Sequence, residues 1–548
     1  MSSNYIPPAA GGRPESDQSR QSIMRKRRRH RRLVRRLLRL TTAFIVLCLI
    51  LVGTAYGYVQ YRNSQIHHIT VHNLIKPTPG GVENILMIGN NSRCVLNGKQ
   101  STAFGSCSQV GGARSDVTML LHLDPAKHSA SILSIPRDLF LPIPGTTNEN
   151  RVDDSLNPTS TSQTSNPSQL VKTIESDLGI PISHFVMLNF DTFQSVVNVL
   201  GGVNVYFPNP VKDAYSGLNI TAPGCHHLNG NQALALVRAR HMYYLQNGSW
   251  QYDGTGDIGR ITRDHQFLRI LASAVASQGL SNLPRDNALI GSVLPDLTVD
   301  QGFGLTQMAS LALTYHGINP NNVPTNTLPV LNHYYQGYPG YIYKGGIYGD
   351  ILMPYEPTDQ QAIDAFLGQS DPPGGNVTPQ SVKVAVLNGT GTSGQATQTS
   401  SQLQSIGYNI VGTGSSTPVA NFSETVVYYK SGEMSAAQSV MSHLSGVVAM
   451  GQGPTADGSD VTVVTGSDFS VTGIPSTSGT TSSSSTSPST NSSAPSAPAP
   501  GTPSGTGPSH SYNAVPGLSS NYSLISSSHT LPSYDPRACP PGATVTPS

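Results

Sequence analysis

Two short runs rich in apolar residues, Val117 to Leu123 and Ser129 to Ile135, are separated by Asp124-Pro125. The pattern predicts two antiparallel strands joined by a tight turn. In such a hairpin the start of the first strand lies beside the end of the second, so Arg114 and Asp116 should meet Arg137 and Asp138 on one rim of a sheet. Just upstream, Ile85 to Ile88 (ILMI) reads as a short buried strand, and Gly89-Asn90-Asn91-Ser92-Arg93 as the loop at its end. Helical spacing follows in Ser168 to Leu178, with Leu170, Val171, Ile174 and Leu178 on one face and Gly179 as the stop. Phe185 to Phe190 predicts a strand. Asp191 is expected to cap a helix carrying Phe193, Val196, Val197 and Leu200, which Gly201-Gly202 ends before a strand at Val203 to Phe207.

Farther on, Ala233 to His241 (ALALVRARH) puts Arg238 and Arg240 on the same side if it is extended, and Tyr243 to Gly256 reads as a Gly- and Tyr-containing loop able to act as a lid. Asp257 precedes a predicted helix, Ile258 to Ser277, with an apolar stripe of Ile258, Ile261, Leu268, Leu271 and Val275; Arg260 and Arg263 share another face. Strands interleaved with helices indicate an α/β class, an α+β sandwich with a central mixed sheet flanked by helices, over residues 82–368. A linker at 369–380 leads to a second, small α/β unit at 381–470. It begins with a strand at Val382 to Leu387 and ends with one at Val461 to Val464. Residues 471–548, rich in Ser, Thr, Pro and Gly, are expected to bury no core and to stay disordered.

The amino-terminal pattern differs. Leu40 to Val59 is twenty residues without a charge, the length of a membrane-spanning helix. It follows the basic run Arg25 to Arg39 (RKRRRHRRLVRRLLR), which predicts a single-pass anchor with a cytoplasmic, disordered arm at 1–39, a linker at 60–81 and the bulk of the chain outside the cell. That arm carries 12 of the 32 Lys and Arg and 2 of the 30 acidic residues, so the remainder has 32 − 12 = 20 basic against 30 − 2 = 28 acidic residues. An acidic body argues against nucleic acid as a partner. Of the five cysteines, Cys48 lies in the span. Cys94 and Cys107 bracket a Gly/Ser-rich loop where a disulfide would contribute ~3 kcal/mol in an oxidising compartment. Cys225 and Cys539 have no obvious partner, although Cys225 competes for either of those two.

Twelve arginines follow the span, and seven of them, Arg93, Arg114, Arg137, Arg238, Arg240, Arg260 and Arg263, fall at predicted element ends or on a polar helix face. The guanidinium fork matches phosphate oxygens and keeps its charge, so a converging set suits a pyrophosphate; taken singly, each has even odds of merely pairing with Asp116, Asp138, Asp257 or Asp264. Asp116 is the leading ligand for a hard cation such as Mg²⁺, shared with substrate phosphate oxygens; its bland alternative is a salt bridge to Arg114 or Arg137. His226, His227 and His265 read as surface or structural residues, and neither a P-loop, a nucleophile elbow nor a zinc motif is present.

The segments NILMIGNNSR (84–93), RSDVTMLLHLDP (114–125), SILSIPRD (131–138), GIPISHFVMLNFDTF (179–193), LGGVNV (200–205), LNGNQALALVRARH (228–241) and GDIGRITRDHQFL (256–268) occur in this order. Together they resemble the LytR-CpsA-Psr glycopolymer transferases of bacterial envelopes, and 382–469 resembles the LytR C-terminal domain. The resemblance implies a Mg²⁺-dependent enzyme that moves a glycopolymer from a polyprenyl-pyrophosphate lipid to peptidoglycan, with the seven arginines as phosphate contacts and Asp116 and Asn91 at the metal. It also implies a lipid tunnel between sheet and helices, lined here by Val186, Leu188, Val196, Val197 and Leu200. Asn91 stands where the family commonly has Asp, so a weaker metal site held mainly by Asp116 and substrate is expected. Two alternatives stay open: a non-catalytic envelope scaffold that holds lipid-linked polymer, and a tethered regulator acting through its basic arm.

Overall fold

The computed structural model describes residues 16–78, 80–90, 114–146, 148–156, 166–278, 283–333, 341–344, 346–369, 377–416, 423–474, 522–525 and 532–547. It divides into two units, 1–65 and 66–548. The first is one helix, Ser16–Asn63, whose part from Arg36 to Asn63 is long and apolar enough to cross a membrane. The basic run expected to be disordered is therefore helical from Ser16. Arg, Lys, Gln and Leu are strong helix formers, and no Pro or Gly interrupts the run, so a helix nucleated in the apolar segment propagates through it.

The larger unit is built on a seven-stranded mixed sheet in the order His67–Ile69, Thr298–Asp300, His184–Leu188, Glu83–Asn90, Ser115–Asp124, Ser129–Ile135, Thr325–Thr327. The expected α/β class holds. The central hairpin pairs Thr118 with Ile135 and Leu120 with Leu133. One face packs Leu86, Ile88, Leu120, Leu133 and Phe185 against the helix Pro167–Leu178 through Leu170, Val171 and Ile174. On the strand His184–Leu188, Val186 and Leu188 turn the other way, toward Leu294, Leu297 and Val299. Burying each of these aliphatic side chains contributes on the order of 2 kcal/mol.

Local signals were misread in three places. Asn189, not Asp191, caps the helix Phe190–Val199, its side chain accepting from the Thr192 N–H at 2.8 Å. Residues 230–237 form a helix rather than an extended segment, because Asn229 and Gln232 make a capping box ahead of it; Arg238 becomes its C-cap. The expected lid loop is a hairpin, Tyr243–Gln246 with Ser249–Tyr252, whose turn uses Asn247 and Gly248 at positive φ.

The second domain is a five-stranded sheet in the order Asn409–Ser415, Lys383–Asn388, Val461–Thr465, Thr425–Tyr429, Val448–Gln452. It docks on the first domain, with the Tyr429 hydroxyl donating to the Ser176 carbonyl at 3.0 Å and Glu356 and Gly446 exchanging backbone hydrogen bonds.

The chain end corrects a further expectation. Tyr522–Ile525 adds to Val330–His333, Arg537–Ala538 pairs with Val203–Phe207, and Val545–Pro547 pairs with Gly224–Leu228. Cys225 is bonded to Cys539 across a sequence separation of 314. The Cys94–Cys107 bridge expected from sequence lies outside the described residues. The end segment carries too few apolar residues to fold alone, but it borrows an existing sheet edge and an existing core, which composition does not register. Asp535 is 1% exposed, and Tyr534 stacks on Tyr244 with ring centroids 3.9 Å apart. Cys539→Ser should lower the unfolding free energy of the first domain by about 2–4 kcal/mol. Thermal melts of the oxidised chain check this, and an unchanged midpoint would mean that the end segment is not bound.

Candidate active site

Just beyond the last pair of the hairpin, Thr118 with Ile135, Asp116 and Arg137 meet. Arg137 Nη1 donates to Asp116 Oδ1 at 2.8 Å and its Nε to Asp138 Oδ2 at 3.3 Å. The helix Gly256–Gln278 then lays its first turn over this rim. Asp257 accepts from Arg260 through both oxygens, at 2.9 and 3.0 Å, and forms an ion pair with Arg240, whose Nε lies 3.1 Å away, with Arg137 Nε at 3.9 Å. Arg260 reaches back to the sheet, its Nη2 donating to the Asp116 carbonyl at 2.6 Å. Three arginines distant in sequence thus meet around one carboxylate.

Burial alone would raise the Asp257 carboxyl, but the Arg260 guanidinium and its hydrogen bonds, with Arg240 and Arg137, outweigh it and hold the group below its ordinary range. The neighbouring acids go the other way. Burial raises Asp138 despite Arg137 beside it. Burial first, then Asp154, pushes Asp153 up to about 7. Sequence reading missed Arg151, which reaches Asp138 at 3.5 Å, Asp153 at 3.8 Å and Asp154 at 3.5 Å; no periodicity marked it. Arg114 joins the same edge through Asp154 at 3.6 Å. The Arg137 and Arg260 side chains are 15% and 5% exposed, against 36% for Arg240 and 43% for Arg114. Arg137 and Arg260 are thus packed into the rim, whereas Arg240 and Arg114 are open to solvent.

Two expected phosphate contacts sit elsewhere. Arg263 is buried, donating to Asp253 at 2.9 Å, Asp535 at 3.2 Å and the Ala239 carbonyl at 2.8 Å, so it has no path to a ligand in this arrangement. Arg238 lies with its guanidinium over the Phe190 ring, 4.7 Å from the centroid. Arg93 and Asn91 fall outside the described residues. The expected lipid lining also divides: Val186 and Leu188 belong with the Leu294 and Val299 cluster, whereas Val197 is buried with Val203, Val205 and Phe267. Val196 is half-buried and Leu200 buried, in neither cluster.

For a hard divalent cation the available donors are the Asp116 carboxylate and Asp138 Oδ1, a buried oxygen without a hydrogen-bond partner. Among the described residues no group of three or more His, Cys, Asp or Glu is arranged to hold a metal, so such an ion would need substrate oxygens to complete its shell.

Residues 56–352 match the family model described as the LytR_cpsA_psr family, and residues 381–469 match one described as LytR cell envelope-related transcriptional attenuator. The chain is 29% identical over 248 residues to the "Probable cell wall biosynthesis protein LcpB" of Corynebacterium glutamicum, covering 45% of this chain and 54% of that one. It is 28% identical over 218 residues to the polyisoprenyl-teichoic acid–peptidoglycan teichoic acid transferase TagV of Bacillus subtilis, covering 39% of this chain and 51% of that one. The chain therefore spans about half the length of these curated relatives. Among solved structures, the LytR-Csp2A-Psr enzyme from Actinomyces oris is 26% identical and covers 56% of this chain and 97% of that one, with a TM-score of 0.41.

One turn beyond Arg260, His265 ties the same helix to the sheet through a 2.7 Å hydrogen bond with Ser134. Burial, then Arg269, pushes its imidazole down to about 4, so the fold holds it neutral. Its contribution is complete above the unfolded value near 6.5 and is lost as pH falls from there toward 4. The loss approaches about 3 kcal/mol if the full shift is realised. Melting curves between pH 7.5 and 4.5 should therefore fall less steeply for His265→Gln than for the parent; parallel curves would exclude His265 as the titrating group.

Proposed function

The chain belongs to the LytR-CpsA-Psr family, and from that premise we propose that it is a membrane-anchored phosphotransferase that moves a glycopolymer from a polyprenyl-pyrophosphate carrier to peptidoglycan. The observation that carries this reading is the convergence of Arg137, Arg240 and Arg260 on Asp257 at one rim of the sheet. Phosphoryl transfer from a pyrophosphate needs charge neutralisation and alignment more than a protein nucleophile, and fixed guanidinium groups supply both. A hydroxyl of the acceptor forms the new P–O bond as the anhydride P–O bond breaks; its proton passes to the departing polyprenyl phosphate, whose remaining charge is countered by arginine.

Arg240 and Arg114, the more open of the cluster, would meet the phosphate oxygens, while Arg137 and Arg260 keep the rim positive and fixed. Mg²⁺, held by Asp116 with Asp138 and the substrate's own oxygens, would add charge neutralisation at the bond that breaks. The half-buried Val186 and Leu188 would contact the apolar chain of the carrier. The basic residues ahead of the span orient the helix with its amino terminus in the cytoplasm, which leaves the body on the outer side of the membrane.

Purified chain in detergent, given a polyprenyl pyrophosphate and Mg²⁺, should cleave the anhydride. Arg137→Ala and Arg260→Ala should each lower kcat by about 10²–10³-fold, the usual loss for one preorganised charge donor. Arg263→Ala should instead lower the melting temperature first. Carrier binding without turnover in the parent would favour the scaffold alternative, and undiminished turnover in both rim variants would reject the site.

A further inference from the structure

The four-stranded sheet Leu218–Ile220, Val211–Asp213, Tyr243–Gln246, Ser249–Tyr252 has one face in the core and one in water. Strand alternation sends Val211, Leu218, Ile220 and Tyr244 inward, where all are buried. The register then sends Lys212, Tyr243 and Tyr252 outward in one row, with Leu245 and Trp250 paired in the next. A solvated sheet face is ordinarily polar. This one carries three aromatic rings instead: Tyr243 is 40% exposed, Trp250 40% and Tyr252 45%. The two tyrosine rings lie 5.2 Å apart, and the Lys212 ammonium sits 4.0 Å over the indole.

The face is continuous with the arginine rim. The hairpin bearing the rings begins three residues after Arg240 and ends five before Asp257, so the Arg240–Asp257 pair at 3.1 Å closes its base. Burial, then Asp253 and Tyr243, raise the Tyr252 hydroxyl while Arg240 pulls it down, so ring and rim share one electrostatic neighbourhood. Resting on the transferase reading above, we propose that this outer face is the docking platform for the acceptor, a strand of neutral N-acetylhexosamine rings in the peptidoglycan glycan.

Three properties favour that occupant. The axial C–H groups of a pyranose carry slight positive charge and pack against the negative face of an aromatic ring, and Tyr and Trp offer such faces with few rotatable bonds. The patch is rimmed by Lys212 and Asn219, which can hydrogen-bond sugar hydroxyl and acetamido groups, while its single aliphatic side chain, Leu245, is half-buried. A surface made to enter a bilayer would set exposed Leu or Phe beside its Trp and Tyr, and this face exposes neither. Finally, the donor is already held by its charge and its lipid, whereas an uncharged acceptor fixed in a wall must be gripped by contact area on an open surface leading to the reacting phosphate.

Trp250 is the only tryptophan in the chain, so its emission reports on the platform directly. Titrating the full chain in detergent with tetra-N-acetylchitotetraose should shift or quench that emission saturably. Tyr243→Ala and Tyr252→Ala, which retain the probe and sit on the solvent side, should each weaken the isotherm by about two- to tenfold with unchanged melting temperature. In the transfer assay they should raise the acceptor KM and leave acceptor-free pyrophosphate cleavage as in the parent. Because the titration contains no donor lipid, saturable binding in a chain that fails to cleave pyrophosphate would reject the transferase reading and keep the platform. No spectral change, equal isotherms in parent and variants, or a change seen only with phospholipid vesicles or rising protein concentration would overturn the platform.

Discussion

The structure around the candidate site depends on one buried carboxylate. Asp257 takes hydrogen bonds or ion pairs from Arg260 and Arg240 and lies within 3.9 Å of Arg137. A lone arginine cluster would repel itself apart, and a lone buried aspartate would take up a proton. Together they are compatible because each desolvated charge has opposite charge in contact. Under the proposed transferase reading, an anion approaching from solvent would meet guanidinium groups that these carboxylates already hold in place.

The helix that carries Arg260 is held by contacts spread along the whole chain. His265 joins it to the central hairpin at Ser134, and Arg263 joins it to Ala239, Asp253 and Asp535. The last of these partners is 272 residues away and is brought there by a segment disulfide-bonded at Cys539 to Cys225. A buried arginine without its carboxylates would leave an uncompensated charge beneath the site, so the carboxy-terminal segment bears on the geometry of the rim although it contributes no group to it. The same stretch, with Tyr534 stacked on Tyr244, backs the inner face of the sheet whose outer face carries the exposed rings.

What depends on neighbours a few residues apart was legible in the amino-acid order. The charge-free run from Leu40 to Val59, the apolar-rich strands Val117 to Leu123 and Ser129 to Ile135, and the meeting of Asp116 with Arg137 follow from composition and pairing rules alone, and the ordered motifs indicated the family. What depends on choosing among distant partners was not. Arg260 and Arg263 are three residues apart and chemically identical, yet one lies at the rim and the other is sealed inside with Asp253 and Asp535. Arg151 joined the cluster with no sequence signal, and Cys225 found Cys539 when local spacing suggested nearer candidates. Periodicity tells a side chain which face of its own element it occupies. Only the packed fold decides what that face meets, because burying a charge is permitted solely where the rest of the chain delivers its counterion.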